Sequence, residues 1–336
     1  MKTIKVRLLE YCQRTATKKV LVIIDSQVSS LYASKLDFQS PYFICYYYVI
    51  CGSESSKSID EVTKIWQFLL ENSFSKDDLV LNIGGGTICD IGGFVAATYK
   101  RGIPCINVPT TLLAMADAAY GGKNGINLGD LKNAVGTISM PQEVWRDERF
   151  LSSLSQQQLL NGFAEILKCA LIANAPLWNE MKNLENVNVD SIRKEWIDFA
   201  VDFKQKIVAQ DLNDTGLRHL LNFGHTMGHA YESYFLSKNQ PLPHGFCVAY
   251  GIVDAAEISY RNGLINNSDF EEIRKVVRRL YGDPKCKRSE VMPFCKQDKK
   301  NRNGKVLFVL LEKIGSAKLH CEVNIDSLQD ERSEEH

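Results

Sequence analysis

From Lys18 to about Val108 the chain alternates short apolar runs of strand length with amphipathic stretches, and beyond Ser152 helical spacing takes over. The run from Lys18 is continuously apolar until it closes on Asp25, which predicts a parallel strand buried on both faces. Phe43 to Ile50 predicts a second strand and Leu79 to Ile83 a third. Between these two, a polar loop from Gly52 to Asp60 runs into an amphipathic helix ending near Asn72. A helix lasting to Tyr99 leads to a fourth strand, Ile103 to Val108. Strands and helices in this order make an open α/β sheet with helices on both faces. Farther on, Gln156 to Ala173, the stretch carrying Lys204, Lys206 and Asp211, Arg218 to Glu232, and Val248 to Ala256 read as helices, with a strand at Val306 to Leu311. The pattern predicts an α/β domain over residues 1–150 and a mostly α-helical domain over 151–336.

Three features of the first half point to chemistry. The third strand runs into Gly84-Gly85-Gly86-Thr87, and a strand, glycine turn and helix in succession let backbone N–H groups approach a pyrophosphate. Asp25, at the end of the first strand, is either a ligand for a ribose hydroxyl or the cap of a following helix. Asp117 to Asn133 is rich in glycine and polar groups, with few apolar anchors. It reads as a loop shaped around a ligand, with Lys123 and Lys132 available to anionic oxygens.

In the second half, Arg218 to Glu232 carries three of the six histidines. On a helix His225 and His229 stand at i and i+4 and project from one face. Three readings are open: two imidazoles satisfied by hydrogen bonds, a metal site using both, or one ligand beside one proton carrier. Gly224 and Gly228 weaken a helix interior, so something packs closely on the backbone there. Glu165 and Lys168 share a helix face among Phe163, Ile166 and Leu167, and His244 precedes another helix. A glutamate with two histidines is an accepted zinc set with an open position.

Composition narrows the partners. Forty basic and forty acidic residues cancel, so no global field favours nucleic acid or a membrane surface. The start of the chain lacks the apolar core of a signal peptide, and no apolar run reaches the length of a membrane span. Ten scattered cysteines without a CxxC predict reduced thiols and a cytoplasmic protein. Arg101, Lys123, Lys132, Lys168, Lys204 and Arg218 are more cations than a structural metal needs. With the glycine turn they point to NAD, a divalent metal and a highly anionic small substrate.

The chain resembles the 3-dehydroquinate synthases of the sugar-phosphate cyclase superfamily. The matching blocks are GGGTICDIGGFVAATYKRG from Gly84, PTTLLAMAD from Pro109, GGKNGIN from Gly121, LKN from Leu131, AEILK from Ala164, GLRHLLNFGHTMGHAYE from Gly216, HG at His244 and DKKNRNGK from Asp298. They stand in the family's order over residues 20 to 312 and as a set are highly specific. The resemblance implies a Rossmann-like NAD-binding domain and a helical metal- and substrate-binding domain. It implies Zn2+ or Co2+ on Glu165, His225 and His244, with His229 as the proton carrier. NAD+ contacts map to Asp25, Glu54, Lys57, Gly85, Gly86, Thr87, Asp90, Thr110, Thr111, Lys123, Lys132, Phe150 and Ser153. Substrate contacts map to Asp117, Lys123, Asn133, Lys168, Lys204, Arg218 and Asn222, with Arg101 crossing from the second subunit of a homodimer, and one of Lys299 and Lys300 joins them. The implied reaction converts 3-deoxy-D-arabino-heptulosonate 7-phosphate to 3-dehydroquinate and phosphate, a step of the shikimate pathway. It runs through transient oxidation, phosphate elimination, re-reduction and aldol closure.

Three departures bear on this reading. Phe246 stands where many members carry an acid after His-Gly, so support for His244 has to come from another group. Ala118 and Ala119 replace two hydroxyls, and Asn124 replaces a threonine beside Lys123. Leu212 replaces the second acid of a usual Asp-Glu pair. Alternatives are another sugar-phosphate cyclase, such as a 2-deoxy-scyllo-inosose synthase type, an NAD-dependent polyol dehydrogenase, and a non-catalytic scaffold. Retention of Lys204, Arg218 and Asn133 favours the dehydroquinate reaction.

Overall fold

A computed structural model describes residues 3–129, 131–296 and 306–324. Contacts divide the chain into two compact units, Met1–Leu154 and Ser155–His336.

The first unit opens with helix α1 (Ile4–Thr15), capped by Thr3. Strand β1 (Lys19–Asp25) follows, its interior almost fully excluded from solvent as its unbroken apolar run requires. Asp25 then caps α2 (Ser26–Tyr32), its Oδ1 accepting from the amides of Gln27 and Val28 at 2.8 and 3.1 Å. β2 (Ile44–Ile50), α3 (Ile59–Glu71), β3 (Leu79–Gly84), α4 (Gly86–Thr98), β4 (Cys105–Pro109) and α5 (Leu112–Ala116) continue the alternation. With β7 (Glu143–Val144) the strands form one parallel sheet in the order β2-β1-β3-β4-β7. Val62, Ile65 and Leu69 of α3 and Ile88, Ile91 and Val95 of α4 pack with Leu21, Ile23 and Val80 of the sheet. The order reverses between β1 and β3, so Asp25 and the Gly84-Gly85 turn flank a switch point at the carboxyl edge, where open α/β sheets bind ligands.

Asp117 to Asn133 departs from the expected loop. Most of it is an antiparallel hairpin, β5 (Lys123–Leu128) with β6 (Leu131–Ile138). Nearly every residue of β6 is exposed, so no apolar alternation announced it. Backbone pairing and side-chain amides hold it instead: Gly125 lies opposite Gly136, and Asn124 Nδ2 donates to the carbonyls of Gly122 and Ser139 at 3.0 and 2.9 Å. Asn124 thus has a structural task in this hairpin.

The second unit is helical: α6 (Gln156–Ala173), α7 (Ala175–Met181), α8 (Lys194–Gln210), α9 (His225–Ser237), α10 (His244–Arg261), α11 (Asn267–Tyr281) and α12 (Arg288–Lys296), followed by the hairpin of β8 (Val306–Lys313) and β9 (Ser316–Val323). α6, α9, α11 and β8 all pack on α10, which is buried over most of its length. The segment Arg218 to Glu232 is not one helix. A 3-10 turn over Leu217–Asn222 precedes α9, and Gly224 between them has φ +77°. Gly224 breaks the expected helix because left-handed backbone suits glycine and a side chain there would strike Ile252 and Val248. His225 and His229 keep their i, i+4 relation inside α9.

Candidate functional site

α6 brings Glu165 and Lys168 into the interior of the second unit, both only 2% exposed. Two further helices aim their first turns at Glu165. His225 opens α9 and His244 opens α10, with Nε2 atoms 3.5 and 3.2 Å from Glu165 Oε1. Lys168 Nζ pairs with the other carboxylate oxygen. One ligand atom from each of Glu165, His225 and His244 lies within 4.8 Å of the others. The remaining ring nitrogens are engaged: His225 Nδ1 donates to Phe223 O at 3.2 Å, and His244 Nδ1 to Glu232 Oε1 at 3.1 Å. Both imidazoles therefore turn Nε2 toward one point, as metal-ligating histidines do. The ring of His229 stands 5.6 Å from that of His225 and 6.4 Å from that of His244, outside the triad.

Electrostatics favour the basic forms of two of these groups. Burial alone would raise the Glu165 carboxyl, but Lys168 and His225 hold it well below the usual carboxylate range. Burial and the Lys168 cation lower His225, keeping its nitrogen available as a lone pair. For His244, burial is outweighed by hydrogen bonds to Glu165 and Glu232, which raise it to about 10.

Around this cluster, Lys204 on α8 is buried, and Arg218 and Asn222 sit in the 3-10 turn before α9. Asp211 fixes that turn, its Oδ2 accepting from the amides of Gly216 and Arg218 at 2.8 and 2.9 Å and its Oδ1 from Thr215 at 3.0 Å. Those amides hold the Asp211 carboxyl far below its usual range. Arg218 also donates to Leu212 O at 2.9 Å, a backbone contact that survives the loss of an acid at that position. Asn161 and Glu232 were missed as site residues. Asn161 Oδ1 accepts from Gly245 N at 2.6 Å and so anchors the turn carrying His244. Glu232 had a legible signal, because His225, His229 and Glu232 at i, i+4 and i+7 form one stripe along α9.

In the first unit a second constellation forms at the carboxyl edge of the sheet. Lys57, buried, donates to Asp90 Oδ2 at 2.7 Å and to Asn133 Oδ1. Glu54 accepts from Asn127 Nδ2 at 2.9 Å, and Asn127 Oδ1 accepts from Asn133 N at 2.8 Å. The Gly52–Lys57 loop, α4 and the β5–β6 hairpin are stitched together, which brings Asn133 to Lys57 and Asp90. Lys132 lies beside it on the exposed β6. Gly85 caps α4 without a side-chain bond, so the first-turn amides of Gly86 and Thr87 present the positive end of the helix at this edge. Thr110 follows β4, and Thr111 caps α5 within 3.1 Å of where a Gly85 side chain would begin.

The remaining expected residues divide by burial. Phe150 is core, edge-on to Tyr32 with ring centroids 4.9 Å apart, and Ser153 Oγ donates to Phe150 O at 2.9 Å. Asp117 ends α5, while Lys123 on β5 and Arg101 in a 3-10 turn are exposed. Asn107 was missed: buried in β4, it accepts from Asn82 Nδ2 at 2.9 Å and donates to Ala119 O at 3.2 Å, bracing the turn between Asp117 and Lys123. Lys299, Lys300 and the acidic tail after Asp326 lie outside the described residues.

Comparison with known proteins gives this geometry a family. Residues 47–161 match 3-dehydroquinate synthase N-terminal, and residues 162–301 match 3-dehydroquinate synthase C-terminal. A 3-dehydroquinate synthase of Tropheryma whipplei (strain Twist) is 35% identical over 306 residues, covering 85% of this chain and 78% of that protein. Among solved structures, 2-deoxy-scyllo-inosose synthase complexed with carbaglucose-6-phosphate, NAD+ and Co2+ shares the fold at TM-score 0.84 and 23% identity, covering 97% of this chain and 93% of the other. A 2-epi-5-epi-valiolone synthase from Streptomyces hygroscopicus subsp. jinggangensis 5008, with NAD+ and Zn2+ bound, superposes at TM-score 0.81 and 26% identity, covering 95% and 92%. By both halves of its sequence, the chain belongs to the 3-dehydroquinate synthase family.

Proposed function

We propose that this protein is a 3-dehydroquinate synthase, turning 3-deoxy-D-arabino-heptulosonate 7-phosphate into 3-dehydroquinate and phosphate with NAD+ and a divalent metal. The observation that carries the proposal is the convergence of half-buried His225 and His244 on buried Glu165, both with Nε2 aimed at one carboxylate oxygen, in a chain of this family. The donor set of one carboxylate and two imidazoles fits Zn2+ or Co2+ with a coordination position left for substrate. Glu165, His225 and His244 would hold the ion, which supplies a Lewis acid that eases deprotonation of a substrate hydroxyl. Residues 1–150 form the NAD-binding domain and residues 151–336 the metal- and substrate-binding domain. NAD+ supplies a hydride acceptor that is restored in each turnover, and Asp25, Glu54, Lys57, Gly85, Gly86, Thr87, Asp90, Thr110, Thr111, Lys123, Lys132, Phe150 and Ser153 bind it.

The remaining groups orient the substrate and move protons. Arg218, fixed by Asp211 and Leu212, presents a planar fork suited to a carboxylate or phosphate. Lys168 and Lys204 add point charges, and Asn222, Asp117, Lys123 and Asn133 hold hydroxyls and anionic oxygens. His229 carries a proton on an imidazole nitrogen beside the triad. Arg101 reaches a neighbouring subunit, and the protein works as a cytoplasmic homodimer. No described helix is long and apolar enough to cross a membrane.

The test is to supply the protein with the heptulosonate phosphate, zinc and catalytic NAD+, and to follow phosphate release with absorbance at 340 nm. The expected result is stoichiometric phosphate and dehydroquinate without lasting NADH. Phosphate release only from glucose 6-phosphate, or release of dehydroquinate-free products, would assign another cyclase. Accumulating NADH without phosphate would assign a polyol dehydrogenase.

A further inference from the structure

The stripe along α9 does not end at the two histidines. Glu232, one turn beyond His229, places Oε1 3.1 Å from His244 Nδ1, and its side chain is only 14% exposed. An ionised carboxylate has no proton to give, so Nδ1 is the donor in this bond. That fixes which nitrogen of a neutral His244 carries the hydrogen. When a metal displaces the second proton of His244, the lone pair that meets it is on Nε2, the atom 3.2 Å from Glu165. The position after His244-Gly245 cannot perform this task, since Phe246 has no acceptor and packs edge-on to Tyr281 with centroids 5.3 Å apart.

We propose that Glu232 is a positioning residue for the metal, holding His244 in the orientation and tautomer that let Nε2 bind it. The inference rests on the metal-dependent reading above and deepens it. Outer carboxylates of this kind orient an imidazole and raise its basicity, and their loss costs roughly 10–100-fold in metal affinity.

The experiment measures zinc and cobalt dissociation constants by chelator competition for the wild type, Glu232→Gln and Glu232→Ala, together with thermal unfolding of each in EDTA. The expected result is a roughly 10–100-fold weaker metal constant in both variants, larger for alanine, with unfolding of the metal-free glutamine variant close to wild type. Wild-type affinity in both variants would overturn the assignment while leaving the metal site standing. A wild type that binds neither ion would overturn both the site and the assignment. Should the variants fail to fold, nitrogen-15 NMR of zinc-loaded wild type decides. The proposal requires a protonated Nδ1 on His244, and a protonated Nε2 sinks it.

Discussion

The contact between α9 and α10 sets the spacing of His225 and His244, and replacing one glycine in it should disturb both stability and metal binding. A Cβ added at Gly251 would lie 1.9 Å from Gly224 O and 2.7 Å from Gly228 N. Both are backbone atoms, so no side chain can rotate away and the helices must separate. Overpacking of this kind costs about 1–3 kcal/mol, and the backbone obstacle places Gly251→Ala in the upper part, at about 2–3 kcal/mol. For a domain of this size that lowers Tm by roughly 4–12 °C. Gly228→Ala is the control. Its Cβ would meet Cys247 O and Val248 Cα at 3.3 Å, a shift of a few tenths of an ångström, offset by up to about 1 kcal/mol of helix propensity. Thermal unfolding in EDTA measures the stability of both variants, and zinc titration against a chelator reads the triad. Gly251→Ala should lose stability and zinc affinity together, while Gly228→Ala stays within about 1 kcal/mol of wild type. Equal stability of the two variants would refute the reasoning.

Other outcomes follow from the same geometry. His229→Asn should lower kcat by about 10²–10⁴ while zinc affinity holds, because the ring stands outside the triad; loss of zinc in that variant would make His229 a ligand. Phe246→Glu should sacrifice about 0.5–1.5 kcal/mol of ring packing against Tyr281 and leave the zinc constant unchanged, as titration would show. Glu272 accepts from Trp178 Nε1 and Lys182 Nζ at 2.7 and 2.8 Å, and although burial raises its carboxyl, these bonds prevail and lower it from 4.5. A depressed carboxylate stabilises the fold above its unfolded pKa, and that contribution fades as pH falls through the folded value. Denaturant unfolding of Glu272→Gln from pH 6 to 3 should accordingly show a shallower acid decline than wild type, and an identical decline would exclude the effect. Sedimentation at micromolar concentration should give a dimer mass, and a monomer would remove Arg101 from the site.

The parts of the chain legible from sequence were those with a strong local rule. β1 and β3 were readable because strands buried on both faces are apolar without interruption, and the turn after β3 because three glycines follow such a run. The triad residues were readable one by one, from residue type and from motifs shared with a known family. α2 escaped because it buries no residue and β6 because almost all of it faces solvent, whereas α1 does carry a stripe of Ile4, Leu8, Tyr11 and Cys12 at helical spacing that went unread. Asp25 left two roles open, and its cap on α2 became visible only with the backbone in place. The sequence by itself determined strands β1 to β4 and helices α3 and α4 of the α/β half, the helical character of the rest and the identity of the chemistry-bearing side chains, because periodicity and residue type are local properties. Tertiary structure alone decided that the first turns of α9 and α10 meet at α6, that Gly224 breaks the helix ahead of His225, and that Glu232 stands behind His244. These depend on helices distant in sequence packing at a given separation, which no local pattern encodes.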